Sequence, residues 1–355
     1  MSPMSKVPVY PSGTTINDRY VLRDKLGTDG SVYVADDRHL DAQVALKVLH
    51  PIGGVAQSWD EAKRLEHLRS RFLVDVINAD VITSSDLRFI VTPLLTGGDL
   101  ESAAASVGLG VRDAVRFAQQ IATGVGRIHA AGMVHRDIKP ANVLLQGDEI
   151  LVSDLEMCEL LDAAGHASRN GSWCTLAPDV AVEGGLCSIR SDVYSLGATV
   201  FYLLSGEYPV DHRLPLAKQK QLIERGAIRD IRHLAPHVPQ SVGTVVRRAL
   251  AFAPERRFST AEDLGNALAH AVKGRRNWRR VEHDGHLHCL KGDSFNGKAA
   301  ILVCTVPNGR RIDVVTRHPA ASGTGPGRRL AGVADSSVTP SGLSSYLQRH
   351  IKALA

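Results

Sequence analysis

Aromatic side chains are scarce in this 355-residue chain, at 5%, so small aliphatic residues must build much of any core. No window approaches the run of roughly 18 apolar residues that a membrane-spanning helix needs. The first residues, MSPMSKVPVYPSGTT, lack the apolar stretch of a secretory signal, and residues 1–18 read as a flexible leader. Five cysteines, Cys158, Cys174, Cys187, Cys289 and Cys304, lie far apart with no paired spacing. That excludes a disulfide framework as the organising device and points to a reducing, cytoplasmic setting. There is no internal repeat, and the one low-complexity patch is AASGTGPGRR at 320–329. What remains is ordinary globular composition, 44% hydrophobic and 22% charged, with room for one large domain and a small one, or two to three small ones.

The net charge of +5 is unevenly placed. From Lys273 onward there are 14 Lys/Arg against 5 Asp/Glu, while the preceding residues carry 28 against 32. Any attraction for an anionic partner therefore belongs to the C-terminal region. Alternating apolar residues predict strands in RYVLRDKLG, SVYVADDR, QVALKVL and LRFIVTPLL, interrupted by the helical stretch SWDEAKRLEHLRS. Helical periodicity then takes over. Ala114, Ala118, Ile121, Val125 and Ile128 form a stripe at spacings of three and four that leads into MVHRD. Two short strands, NVLL and EILVS, follow around the turn QGD. After about residue 277 strands return as a hairpin, ILVCTV–PNG–RRIDVVT. Thr339 and Pro340 then open a closing helix whose Leu343, Leu347, Ile351 and Leu354 are expected to pack on that hairpin.

The segment that carries chemistry is HRDIKPANVLL, His135 to Leu145. Followed by a strand, a turn, a second strand and an aspartate, it resembles the catalytic loop of protein kinases, and the bacterial eukaryotic-like serine/threonine kinases in particular. The resemblance covers residues 19 to 272. It implies an α+β fold of two lobes (19–95 and 96–272) with ATP and Mg2+ or Mn2+ in the cleft. Residues 273–355 resemble no family and read, from their strands and closing helix, as a basic linker and a small α+β domain of unknown role. Phosphoryl transfer needs reactants held in line and charge offset on the phosphoryl oxygens. By resemblance, Asp137 orients the substrate hydroxyl and accepts its proton, and Lys139 lies near the γ-phosphate. Asn142 and Asp154 bind the metal. Lys47 in VALKVL grips the α- and β-phosphates, with Glu61 as its partner. Thr92 falls at the gatekeeper position, and Pro93 and Leu95 meet adenine. Gly27, Gly30, Val32, Ala45 and Leu144 complete the nucleotide contacts. Asp179 in LAPD and Arg257 in PERRF correspond to a structural ion pair. Asp192 in SDVYSLG corresponds to a residue that accepts N–H bonds from the catalytic loop.

Two departures are plain. The glycine-rich loop, LGTDGSVY, is two residues short at its tip, so fewer amides cover the phosphates. The usual Asp-Phe-Gly has become Asp154-Leu155-Glu156, placing a carboxylate that can pull on the metal or on Arg136. These departures open a pseudokinase scaffold as the alternative function. A small-molecule phosphotransferase is the other alternative, disfavoured by the peptide-docking elements. Arg136 before the catalytic aspartate makes Ser168 the candidate for autophosphorylation, while Ser172 is expected to touch Lys139 and Asp137. His283, His286, His288 and Cys289 do not share one strand face, which argues against zinc. KGRRNWRR (273–280) is expected to be a charged linker, open to an acidic partner. Nucleic acid is not expected as a ligand; protein substrates are.

Overall fold

The computed structural model describes residues 9–26, 31–49, 68–85, 87–273, 276–282, 285–294, 299–319 and 327–354. They divide into two compact units. One runs to Gly98 and takes in Leu144–Glu156; the other holds Asp99–Val143 and everything from Met157 on.

The first unit is built on a six-stranded antiparallel sheet. Its strands are β1 (Thr15–Ile16), β2 (Tyr20–Leu26), β3 (Val32–Asp37), β4 (Ala42–Val48), β5 (Asn78–Val81) and β6 (Arg88–Pro93), in the order β1-β2-β3-β4-β6-β5. The four predicted strands are all present; β1 and β5, too short to show periodicity, are additions. Tyr20, Leu22, Tyr33, Ala35, Val44, Leu46 and Phe89 point to one face and form its core. The predicted helix SWDEAKRLEHLRS falls largely outside the described residues.

The second unit opens with α1 (Leu100–Ala104) and α2 (Val111–Ala130), followed by β7 (Met133–Val134). All five residues of the predicted α2 stripe are 0% exposed. The chain then passes through the hairpin β8 (Val143–Gln146) and β9 (Glu149–Val152), which from Leu144 on belongs to the first unit and turns at Gly147, whose φ of 60° is where a glycine costs nothing. Then come β10 (Glu159–Leu160), α3 (Pro178–Ala181), α4 (Ile189–Ser205), α5 (Leu216–Glu224), α6 (Ile231–Leu234), α7 (Gln240–Ala249) and α8 (Ala261–Ala271). The central helix α4 starts on a capping box between Ser188 and Ser191 and stops at Gly206, φ 72°. Helix α8 lies close against α2. A Cβ on Gly265 would come within 2.9 Å of that of Ala122.

The C-terminal region forms its own five-stranded antiparallel sheet in chain order. It consists of β11 (Arg276–Val281), β12 (His288–Ser294), β13 (Ile301–Asn308), β14 (Arg311–Arg317) and β15 (Ser336–Val338), followed by α9 (Leu343–Ala353). Leu343, Leu347 and Ile351 bury against Trp278, Leu290, Val303 and Val314, so the closing helix packs on its own sheet. The expectation of a charged linker at 273–280 is corrected. Residues 276–280 lie in edge strand β11, because Trp278 buries into the sheet while Arg279 stays exposed. The hairpin turn is also tighter than PNG suggests. Pro307 and Asn308 still pair with Ile312 and Arg311, leaving Gly309–Arg310 as the turn.

Two chain segments in this unit meet through an unusual helix start. The N-cap of α2 is Gly110, which has no side chain to accept an orphan N–H. Asn277 of β11 supplies it instead, its Oδ1 accepting from Arg112 N at 3.0 Å while its Nδ2 donates to Asp113 at 2.7 Å.

Candidate active site

In the first unit the strand register puts the predicted nucleotide contacts on one face. Val32 is directly opposite Lys47, and Ala45 is opposite both Val34 and Thr92. Directly paired side chains lie on the same side of a sheet. Val32, Ala45, Lys47 and Thr92 therefore share the half-buried face, opposite the core face of Tyr33, Val44 and Leu46. Pro93 ends β6, and Pro93, Leu95 and Leu144 are all partly buried. Gly97 matters here, because a Cβ on it would fall 2.2 Å from the carbonyl oxygen of Leu145. That approach lets Leu145 N donate to Gly98 O at 2.9 Å and seats the β8–β9 hairpin beside the end of β6.

Lys47 Nζ reaches Asp154 Oδ1 at 2.9 Å and is also in salt-bridge contact with Glu156. Burial would lower the Lys47 pKa, but the two carboxylates outweigh it and hold the ammonium charged. Burial and the neighbouring Asp154 raise the Glu156 carboxyl above its usual range. Glu156 sits in the 3-10 turn Leu155–Met157 next to Asp154, whose φ is 59°. The expectation that Glu156 pulls on a metal or on Arg136 gives way to a contact with Lys47. Glu61, Gly27 and Gly30 lie outside the described residues.

The second unit holds the loop from His135 to Asn142 that is expected to be catalytic. Asp137 is 8% exposed. Lys139 Nζ donates to Asp137 Oδ2 at 2.8 Å and to Ser172 Oγ at 2.9 Å, while Ser172 N donates to Asp137 Oδ1 at 2.9 Å. Asn142 Nδ2 bonds the Asp137 carbonyl at 2.9 Å and its carboxylate at 3.1 Å. Burial pushes the Asp137 carboxyl up, yet Lys139 beside it wins and holds it below the usual carboxylate range, ionised at neutral pH. The loop itself hangs on Asp192, which is 1% exposed at the start of α4. It accepts from His135 N at 2.8 Å and Arg136 N at 3.0 Å, and bonds His129 Nε2 at 2.9 Å. These bonds hold Arg136 in a left-handed conformation, φ 71°, which a non-glycine residue adopts at a cost.

Arg136 pairs with Glu159 at 2.5 Å and donates to Met157 O at 2.7 Å and Ser168 Oγ at 2.7 Å. Ser168 Oγ in turn donates to Glu159 at 2.6 Å. The segment that carries Ser168 is thus tied to the loop around Asp137 through an acid that sequence reading overlooked. Glu159 lies in short β10, and only the pairing of β10 with β7 brings it to Arg136. Farther on, the 0%-exposed side chain of Arg257 meets Asp179 at 2.5 Å and also bonds the carbonyls of Ala251, Arg190 and Phe252. The shorter carboxylate reaches its partner.

In the C-terminal sheet, His286 Nδ1 and the sulfurs of Cys289 and Cys304 lie within 4.8 Å of one another. His286 precedes β12, so strand alternation does not govern it, and Cys304 stands opposite Cys289 on β13. His283 lies outside the described residues, and His288 instead donates its backbone N–H to Thr305.

A profile of the protein kinase domain matches residues 21–270, and the chain belongs to that family. It is 30% identical to the serine/threonine-protein kinase PrkC of Bacillus subtilis over 267 residues, 71% of this chain and 40% of that protein. Against the DNA damage-responsive serine/threonine-protein kinase RqkA of Deinococcus radiodurans, identity is 32% over 309 residues, 82% of this chain and 44% of the relative. With PknB of Mycolicibacterium smegmatis it is 28% over 276 residues, again 44% of the relative. The matches thus span less than half the length of these curated relatives. Among the described residues, no helix is long and apolar enough to cross a membrane.

Proposed function

We propose that this chain is an ATP-dependent kinase that phosphorylates serine or threonine on protein substrates. The observation that carries the reading is the bonded set Asp137–Lys139–Asn142–Ser172. It holds an ionised carboxylate and a cation together on one rigid turn. Asp137 takes the proton of the substrate hydroxyl as that oxygen bonds to the γ-phosphorus and the bond to the β,γ-bridging oxygen breaks. Lys139 offsets negative charge on the transferring group. Lys47 meets the α- and β-phosphates, which take over part of what Asp154 and Glu156 supply to it in this structure. Val32, Ala45, Pro93, Leu95 and Leu144 flank the adenine.

Asp154 of the first unit, 29% exposed, has the hard carboxylate oxygens that suit Mg2+ or Mn2+, and Asn142 of the second unit has an amide oxygen of the same kind. When bound, the metal neutralises phosphate charge. The same reading places the protein in the cytoplasm and leaves the basic C-terminal region open to an acidic partner.

Intact mass after incubation with Mg-ATP, with and without a generic basic protein, tests the activity against an Asp137→Asn control. Mass added in steps of one phosphate to either protein, absent in the control, is expected. No transfer to either protein, together with no thermal shift by Mg-ATP, overturns the reading in favour of a scaffold. Transfer to small hydroxyl compounds alone overturns it in favour of a small-molecule kinase.

A further inference from the structure

Within the second unit, the helical elements and the C-terminal sheet enclose a cavity of about 680 Å3. Its lining carries six cations, Arg112, Arg232, Lys273, Arg276, Arg349 and Lys352, and among the described residues no acidic side chain lines it. They come from α2, α6, β11, α9 and the segment after α8, so the charge converges on one space from separate elements rather than lying along one solvated face. Apolar walls stand between the cations: Val111, Val238, Trp278 and Ile351.

Several lining groups are buried donors with no partner. Trp278, 5% exposed, leaves its indole N–H unbonded, and His237, 3% exposed, leaves both ring nitrogens unbonded. The Gln348 amide oxygen accepts from Arg232, which leaves the Gln348 Nε2 and the Arg232 Nε unbonded. Buried polar groups are nearly always satisfied, so a group of unused donors in one cavity calls for an acceptor from outside. Burial, with the charges of Arg280 and His288 nearby, depresses the His237 pKa to about 3. Its ring is therefore neutral and offers one N–H and one lone pair.

We propose that this cavity is a binding site for a phosphorylated small molecule, held by Arg232, Arg276 and Arg349 at its phosphate and by Trp278 and Ile351 at its body. The volume is in the range of sites for ligands of nucleotide or sugar-phosphate size, and exceeds what inorganic phosphate fills. Arginines that converge without competing carboxylates suit phosphate oxygens through paired N–H bonds. The cavity shares no residue with the catalytic loop or with the predicted nucleotide contacts.

The test is isothermal titration calorimetry of the full chain in EDTA. The probes are fructose 1,6-bisphosphate, AMP and pyrophosphate, with fructose and adenosine as their neutral counterparts. We expect one-to-one saturable binding of at least one phosphorylated organic probe and none of the neutral ones. Affinity should fall at least tenfold in Arg232→Gln. It should fall likewise in the pair Lys273→Ala, Arg349→Ala, whose exposed side chains can be removed without unfolding the protein. Lys47→Ala should leave it unchanged. The proposal is overturned if no phosphorylated probe binds, or if the variants at the cavity bind as tightly as the parent. It is equally overturned if Lys47→Ala is the substitution that removes binding.

Discussion

Replacing Asn277 by alanine should loosen the start of α2, although the two residues are 165 positions apart in sequence. The substitution removes the acceptor for Arg112 N–H and the donor to Asp113, and Gly110 has no side chain to substitute for either. Loss of an N-cap costs about 1 kcal/mol, with a range of roughly 0.5–2. The Asp113 bond adds little, because that carboxylate is about half exposed and water replaces it. We therefore expect a loss of about 1–1.5 kcal/mol, placed in the second unit. Urea unfolding followed by tryptophan fluorescence measures the total, and amide exchange across 111–114 locates it. Asn277→Asp is the informative companion. It keeps an acceptor for Arg112 but brings a carboxylate to Asp113, so it should retain slow exchange in that turn while still losing stability. Alanine with unchanged exchange at 111–114 and a midpoint equal to the parent would refute the idea that β11 caps α2.

Three further outcomes follow from the geometry. The depressed pKa of His237, about 3 against 6.5 for the ordinary group, means the unfolded chain binds a proton that the native state refuses. Stability should thus be intact above pH 6.5 and fall as pH drops toward 3, by about 1.4 kcal/mol per unit. Urea midpoints at pH 7 and pH 5 should differ less in His237→Leu than in the parent; an equal difference would show that the ring is not held neutral. Arg257→Met strands Asp179 and three carbonyls, and should cost about 3–5 kcal/mol, as for other broken buried pairs. A calorimetric loss under about 1 kcal/mol would contradict the buried network. Ser168→Ala should speed exchange in residues 157–172 by removing the bridge between Arg136 and Glu159. Ser168→Glu should speed it more, because the new carboxylate faces Glu159 at the position where Ser168 Oγ now bonds it at 2.6 Å. Slower exchange in the glutamate variant would mean that Arg136, and not Glu159, dominates that position.

Much of this protein was legible along the chain because the information was local. The stripe from Ala114 to Ile128 repeats at helical spacing, and every member is buried. The alternation in VALKVL puts Lys47 on the face opposite Val44, Leu46 and Val48, since strand side chains change sides at each residue. Asp137, Lys139 and Asn142 are within five residues of one another, so one turn suffices to bring them together, and Ser172 reached them where it was expected.

Tertiary structure decided whatever depended on partners far apart in sequence. Glu156 turned to Lys47, 109 positions away, because the turn after β9 aims it at a buried ammonium that attracts whichever carboxylate comes near. Arg136 found Glu159 through strand pairing, and Cys304 came to Cys289 through sheet register. The basic run after Lys273, charged enough to read as a linker, became a strand because Trp278 had a core to enter. Its Lys273 and Arg276 then closed a cavity with α2, α6 and α9. Periodicity reports which side of an element is apolar, but not which distant surface will cover that side. That depends on contacts whose entropy of closure is met only once the whole unit folds.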